Sequence, residues 1–308
     1  MDNMADMEYL AESAKEKNCR LQYSILYNAD NINDDRLIMS ENKRSTFNDA
    51  NAVRFRSCVV IGSSRGLGAA LVDGLLERGY TVTGVARTMP DAERLERWNA
   101  SRRYKHFIAD ISSQDGLTAV KEISKDLPLE PVCVIFNAAS VETDVHGRLI
   151  DHDALTRVNS TAIVGLGNTT AAFQSHLTTR GGYFVGISSF SAFAPPFNEP
   201  RAAYPASKAY LDMFLRSLRI IWRDKVTVVT VHLGHLGRGD FFLSGMLVSD
   251  YDKTANKIIT GITGKKTPRE INYPFIYCLV YRYILSCIPD FLYIKAAVIF
   301  NRVKRNKT

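Results

Sequence analysis

The stretch "SCVVIGSSRGLGAALVDGLLERGYTVTGVA", residues 57–86, runs from a short β-branched segment through a glycine-rich turn and a helix-length amphipathic segment into a second β-branched run. Gly62, Gly66 and Gly68 fall directly between strand and helix. Without Cβ atoms the backbone can turn sharply and approach a pyrophosphate, which then rests on exposed N–H groups at the positive end of the helix dipole. Glycines also end strands for steric reasons alone. The strand-turn-helix context makes this triplet a dinucleotide-binding signal, with Ser64, Arg65 and Leu67 completing the turn.

The same texture continues on the carboxyl side. "YKHFIAD", "VCVIFNAA", "GYFVGISS" and "KVTVVTVHL" read as strands, and "GLTAVKEISKDL", "TAIVGLGNTTAAFQSHL" and "AYLDMFLRSLRIIW" read as helices between them. Strict alternation calls for right-handed crossovers and an α/β fold, a doubly wound parallel sheet of about six or seven strands with helices on both faces. On the amino side the alternation stops. Residues 1–55 lack a sustained apolar period, and from 28 to 51 they hold six Asn and four Asp, so they are expected to form a poorly ordered arm with one short helix near Tyr9 to Lys17.

Composition narrows the function classes. With 308 residues and 46% hydrophobic content the chain can bury one large core. The net charge of +7 is spread along the chain apart from the tail "NRVKRNKT", which favours a solvated surface over nucleic-acid binding. Cys19, Cys58, Cys133, Cys278 and Cys287 form an odd set without C-x-x-C spacing, which reads as buried thiols in a reducing compartment, with neither a disulfide framework nor a metal site. The acidic start "MDNMADMEYLAESAKEK" lacks the basic region and apolar run of an export signal, so cytoplasm is the expected location.

The catalytic candidate is "AAYPASKAY", residues 202–210. Tyr204 and Lys208 stand at i and i+4, on one face of a helix whose first turn suits Pro205. A free phenol titrates near about 10, and a neighbouring ammonium stabilises the phenolate, which suits such a pair to proton transfer near neutral pH. The spacing alone is cheap, since one Tyr-x-x-x-Lys is expected by chance in a chain with 14 tyrosines. It gains weight from standing some fifteen residues beyond the strand end "GISS".

Together, "VVIGSSRGLGAAL", "FNAAS", "GISS" and "YPASK" resemble the short-chain dehydrogenase/reductase family in its compact single-domain, NADP(H)-preferring branch, over the region from Ser57 to about Gly239. The resemblance implies a Rossmann-type sheet and hydride transfer between a nicotinamide cofactor and an alcohol or carbonyl carbon. It implies that Ser189 orients the substrate oxygen, Tyr204 transfers the proton, Lys208 binds the nicotinamide ribose, and Asn159 holds a water in the relay. It also implies that Asp110 and Ile111 hold the adenine, that Asn137 and Ala138 line the cofactor after the fourth strand, and that Gly234 does so after the sixth. After the second strand "GVART" offers Arg87 where an NAD site would carry an acid, so Arg87 with Arg65 favours NADP(H) over NAD(H) through a 2′-phosphate.

The pattern departs from the family at Phe136 and Ala139, at Leu233 in place of a proline, and at Arg238 in place of a threonine. No counterpart of the family's last strand is visible after Thr267. Residues 56–272 are therefore expected to form the catalytic domain, and residues 273–308 an apolar helical segment with a basic tail. No run of about 20 apolar residues is available to span, so that segment either packs on the sheet or substrate pocket, contacts a second copy, or lies on a membrane surface, with packing or dimer contact favoured. His232 and His235 are read as core or pocket residues. A homodimer or homotetramer is expected, acting on a small, largely apolar carbonyl or alcohol substrate, with no nucleic-acid partner. A nucleotide-sensing protein without turnover and a membrane-surface scaffold are the rival readings.

Overall fold

The computed structural model describes residues 55–197, 201–237 and 249–305. The expected arm, apart from Phe55, and the position of Arg238 lie outside the described residues, as does the candidate helix near Tyr9. Phe55 belongs to the core and not to an arm: it is buried, with its ring 4.9 Å from that of Tyr183 and 5.4 Å from that of Tyr80.

The first repeat is β1 (Ser57–Ile61), α1 (Gly66–Glu77) and β2 (Thr81–Ala86), followed by α2 (Ala92–Ala100), β3 (Tyr104–Ile108), α3 (Gln114–Lys125) and β4 (Val132–Phe136). A two-stranded hairpin, β5 (Val145–His146) and β6 (Leu149–Ile150), leads into α4 (His152–Asn159), a π-helical turn over Ser160–Val164, and α5 (Gly165–Arg180). Then come β7 (Gly182–Ser189), α6 (Ala203–Ile221), β8 (Val226–Leu233), α7 (Tyr251–Thr263) and β9 (Glu270–Tyr273). The chain ends in α8 (Phe275–Cys278), a π-helical and a 3-10 turn, and α9 (Asp290–Arg305).

Seven parallel strands form one sheet in the order β3-β2-β1-β4-β7-β8-β9. β1 shows why the strands read as continuous apolar runs. Cys58 and Val60 enter the cluster built with α1 and α7, whereas Val59 and Ile61 enter the opposite cluster with Leu166, Phe173, Leu211 and Leu215 of α5 and α6. Both faces are covered, so alternation of polar and apolar residues has no place.

The seventh strand corrects the expectation that none follows Thr267. Glu270 to Tyr273 pairs in parallel with Thr230 to Leu233 of β8. The pairing puts Tyr273 in the sheet, so the apolar carboxyl segment starts as a strand end. Of the cysteines, Cys58 and Cys133 sit opposite each other on β1 and β4, buried and free, and burial pushes the Cys58 thiol up. Cys278 is also buried, but Cys287 is exposed, contrary to its reading as a buried thiol.

Strand order reverses between β1 and β4. In an open α/β sheet the crevice beyond the carboxyl ends of the strands at such a switch is where ligands bind, and the glycine turn and the end of β4 both open there.

Candidate active site

The glycine turn is held by contacts that leave no room for side chains. A Cβ on Gly68 would lie 1.9 Å from the Gly62 carbonyl oxygen, and one on Gly62 would lie 2.7 Å from the Ala138 Cα. Gly62 has φ +85° and Gly66 φ +56°, the left-handed region that suits glycine. The start of α1 is thus pressed against the end of β1, with the loop after β4 against the turn. Asn137 ties them together: its Nδ2 donates to the Gly62 carbonyl at 2.8 Å and its backbone N–H to Ile61 at 3.0 Å.

The arginines assigned to the cofactor stand at the outer end of this turn. Arg65 and Arg87 are exposed, and a hydrogen bond of 3.2 Å between the hydroxyls of Ser64 and Thr88 links the two loops that carry them. Asp110 is exposed, its carboxylate accepting from the Ser112 hydroxyl at 2.6 Å and the Ser112 N–H at 2.9 Å, and the hydroxyl bond is the main cause holding it below its ordinary range. Ile111 is buried against the position of Gly165, so its side chain serves packing.

Ser189, Tyr204 and Lys208 converge on a single cavity of about 490 Å³, lined also by Leu67, Asn137 and Gly234. β7 ends there in Ser188 and Ser189, which point apart. The Ser188 hydroxyl donates back to the Lys208 carbonyl at 3.5 Å, whereas Ser189 Oγ faces the cavity and accepts from the N–H and hydroxyl of Ser191 at 3.2 and 3.0 Å. Lys208 is buried, its Nζ donating to the Ile187 carbonyl at 2.8 Å and standing 5.6 Å from the centre of the Tyr204 ring. Burial lowers the Lys208 pKa to about 8, opposed by the negative charge of Asp212 one turn along the helix. An ammonium thus held in apolar surroundings is a strong local field for a phenol beside it.

Asn159 is not part of the cavity wall. It is half-buried at the end of α4, where the helix passes into the π-helical turn, on elements that pack against α6.

Several functional positions were not legible as such. Asp144, in the loop after β4, is fully buried and caps the helix that carries Tyr204, accepting from Ala202 N–H at 3.0 Å and Ala203 N–H at 2.8 Å. Beneath Lys208, the Asp212 carboxylate accepts from His232 Nε2 at 2.7 Å, and His232 Nδ1 meets Asn272 Oδ1 of β9 at 3.0 Å. His232 is therefore a core residue and His235 a cavity residue. The carboxyl segment supplies Tyr277 and Tyr281 to the cavity wall, and Tyr251 comes from the start of α7. Rings of His232, Phe190, Tyr277 and Tyr281 follow one another at 6.0, 5.9 and 5.8 Å. Gly234 packs closely against this segment, since a Cβ there would meet the Tyr277 ring at 2.7 Å.

Residues 56–238 match the model of the short chain dehydrogenases. The chain belongs to the short-chain dehydrogenase family. As a member it is an oxidoreductase, and its curated relatives carry reductase names. A 3-oxoacyl-[acyl-carrier-protein] reductase of Mus musculus is 28% identical over 182 residues, 58% of this chain and 75% of the relative. An acetoacetyl-CoA reductase of Paracoccus denitrificans is 30% identical, covering 58% of this chain and 73% of the relative. Among solved structures, a short-chain dehydrogenase from Sphingobium yanoikuyae in complex with NADPH superimposes with a TM-score of 0.60 at 20% identity, over 71% of this chain and 88% of that one. At that identity the likeness speaks for the fold. The family match ends before α7, so the tyrosines of the carboxyl segment lie beyond what the family model describes.

Proposed function

We propose that this short-chain dehydrogenase reduces a largely apolar carbonyl compound with NADPH, and in reverse oxidises the alcohol. The observation that carries the proposal is the convergence of Ser189, Tyr204 and Lys208 on one cavity at the strand-order switch.

The cradle fits a dinucleotide. Gly62, Gly66 and Gly68 keep side chains out of the turn at the start of α1, where the backbone N–H groups are free to take an anion. Arg87 and Arg65 are placed for a ribose 2′-phosphate, with Asp110, the backbone of Ile111, Asn137 and Ala138 along the adenine and ribose and Gly234 at the nicotinamide end. When bound, the nicotinamide supplies the hydride. The chain does the rest. Ser189 donates to the substrate oxygen, Tyr204 gives that oxygen its proton, and the Lys208 ammonium lowers the cost of the phenolate left behind. Asn159 is assigned the far, water-holding end of the relay that returns a proton to Lys208.

The lining by Leu67, Val141, Leu233, Tyr277 and Tyr281 favours an apolar chain beside the carbonyl. The names of the relatives make 3-oxoacyl thioesters the first substrates to try. The test is NADPH binding by fluorescence followed by a carbonyl panel, comparing wild type with Tyr204→Phe. Loss of a general acid of this kind lowers turnover by about 10²–10⁴ with NADPH binding retained. A Tyr204→Phe variant with full activity would overturn the mechanism, and NADPH binding with no carbonyl reduced would point to a nucleotide-sensing module.

A further inference from the structure

The last helix is apolar on the side that faces away from the fold. α9 rests on the loop beyond β7 through one edge: the Tyr293 hydroxyl donates to the Pro195 carbonyl, Asn301 Nδ2 donates to the Phe197 carbonyl at 2.8 Å, and the Tyr293 and Phe197 rings lie 4.7 Å apart. On the opposite edge Phe291, Lys295, Val298 and Arg302 succeed one another at i, i+4, i+7 and i+11, flanked by Ile294 and Ile299, and all six are exposed. Phe291 and Ile294 keep 61% and 62% of their surface in solvent, and with Ile299 and Val298 beside them they form a run of exposed apolar side chains on one helix face. On the preceding segment Phe275, Ile276 and Ile284 are exposed as well.

The charges on this face decide what covers it. Lys295 and Arg302 lie within the apolar stripe, with Lys295 Nζ 6.0 Å from the Phe291 ring centre. In a two-fold contact between copies the same patch faces itself, so these cations would be brought toward their own like charges. An anionic lipid surface answers both features. The aliphatic stems lie along the apolar stripe while the charged heads reach upward to phosphate and carboxylate groups. After Glu270 the sequence holds six basic residues, Arg282, Lys295, Arg302, Lys304, Arg305 and Lys307, against one acid, Asp290. Among the described residues no helix is long and apolar enough to cross a membrane, so on a lipid surface α9 would lie in the interface and not span it.

We propose that the outer face of α9, with the exposed side chains at 275–284, docks the protein peripherally on an anionic membrane surface. The docking side is the back of the segment whose inner side, Tyr277 and Tyr281, walls the cavity. The same loop that seats α9 gives Pro196 to that wall. On the proposed function, a membrane-dissolved carbonyl compound would thus approach the cavity from the side that this segment walls.

The experiment is co-flotation of the full-length protein with phosphatidylcholine vesicles, with and without phosphatidylserine. Wild type is expected to float with the anionic vesicles only. The double variant Lys295→Ala/Arg302→Ala is expected to bind about 30-fold more weakly, from the contribution of each cation near a charged surface. Ile294→Ser/Val298→Ser is expected to weaken binding as well, with an unchanged circular dichroism spectrum and thermal midpoint showing that each variant is folded. Failure of wild type to float with anionic vesicles overturns the proposal, as does flotation indifferent to phosphatidylserine. So does a self-association in sedimentation equilibrium that Val298→Ser abolishes while vesicles remain unbound. None of these readouts depends on the carbonyl assay.

Discussion

The glycine turn and the carboxyl segment both border the cavity, yet they are built by opposite means. At the turn the tightest contacts are backbone against backbone, and the residues that matter most are those lacking side chains: Gly68 against the Gly62 carbonyl, Gly62 against Ala138. In the carboxyl segment the contacts are side chain against side chain, through the stacked rings of Phe190, Tyr277 and Tyr281. A backbone-built site holds an invariant piece of ligand and tolerates almost no change. A site walled by side chains can be re-cut for a different substrate without touching the sheet. The difference implies that substitutions at the turn cost folding and cofactor together, whereas those in the carboxyl segment change selectivity.

The harshest way to test that contrast is Gly68→Ala. One methyl group must displace α1 from the end of β1, which costs about 3 kcal/mol in a packed interior and withdraws the helix start from the pyrophosphate site. Denaturant titration should show the lost stability, and NADPH affinity should fall with it. A Gly68→Ala protein with wild-type NADPH affinity would show that the close packing is not what shapes the cofactor site.

Asp144→Ala is expected next in size. Its carboxylate satisfies two N–H groups at the start of the catalytic helix from a fully buried position, and losing it costs about 1–3 kcal/mol. The start of the helix shifts with Tyr204, so kcat should fall by about tenfold or more while NADPH affinity is nearly kept. Equal losses in both would place Asp144 in general stability and not in positioning.

How much of this was legible in the sequence follows from how local each interaction is. The glycine turn lies within seven consecutive residues, Gly62 to Gly68, and the Tyr204 and Lys208 pair within five, so pattern and chemistry coincide along the chain. β9 was not legible because "EINY" has only one fully buried residue, Ile271, and is a strand by virtue of its pairing with β8 some forty residues earlier. Asp144 is silent for the same reason: the N–H groups it caps belong to residues 58 and 59 positions later. Tyr277 and Tyr281 stood inside a run that reads as simply apolar, and their place on the cavity wall rests on contacts with residues far back in the chain, Tyr277 against Gly234 and Phe190.

Arg87→Ala sharpens the comparison at the outer edge of the turn, where side chains take over from backbone. Losing one charge-assisted contact to a 2′-phosphate weakens NADPH binding by about 10–100-fold, while NADH binding stays within a factor of about two, since NADH has nothing there to lose. Parallel titrations with the two cofactors check it. Equal weakening of both would remove Arg87 from 2′-phosphate recognition.

The smallest expected effect lies beneath the cavity, where the two building styles meet at Lys208. Burial has lowered its pKa from 10.5 to about 8, and Asp212 holds it up against that pull. The ammonium is the form that supports Tyr204, so turnover should decline as pH rises through about 8. Asp212→Asn removes the supporting charge and should move that limb toward lower pH while leaving the acid side in place. Stability runs the other way. The unfolded chain keeps the lysine proton up to 10.5 whereas the folded protein releases it near 8, so between these values the unfolded state binds more protons and the Lys208 contribution to stability grows with pH. A Lys208→Met protein should lack that rise. A pH profile whose basic limb stays fixed in Asp212→Asn would show that the limb belongs to another group, and that the Asp212–His232–Asn272 chain positions β9 without tuning the lysine.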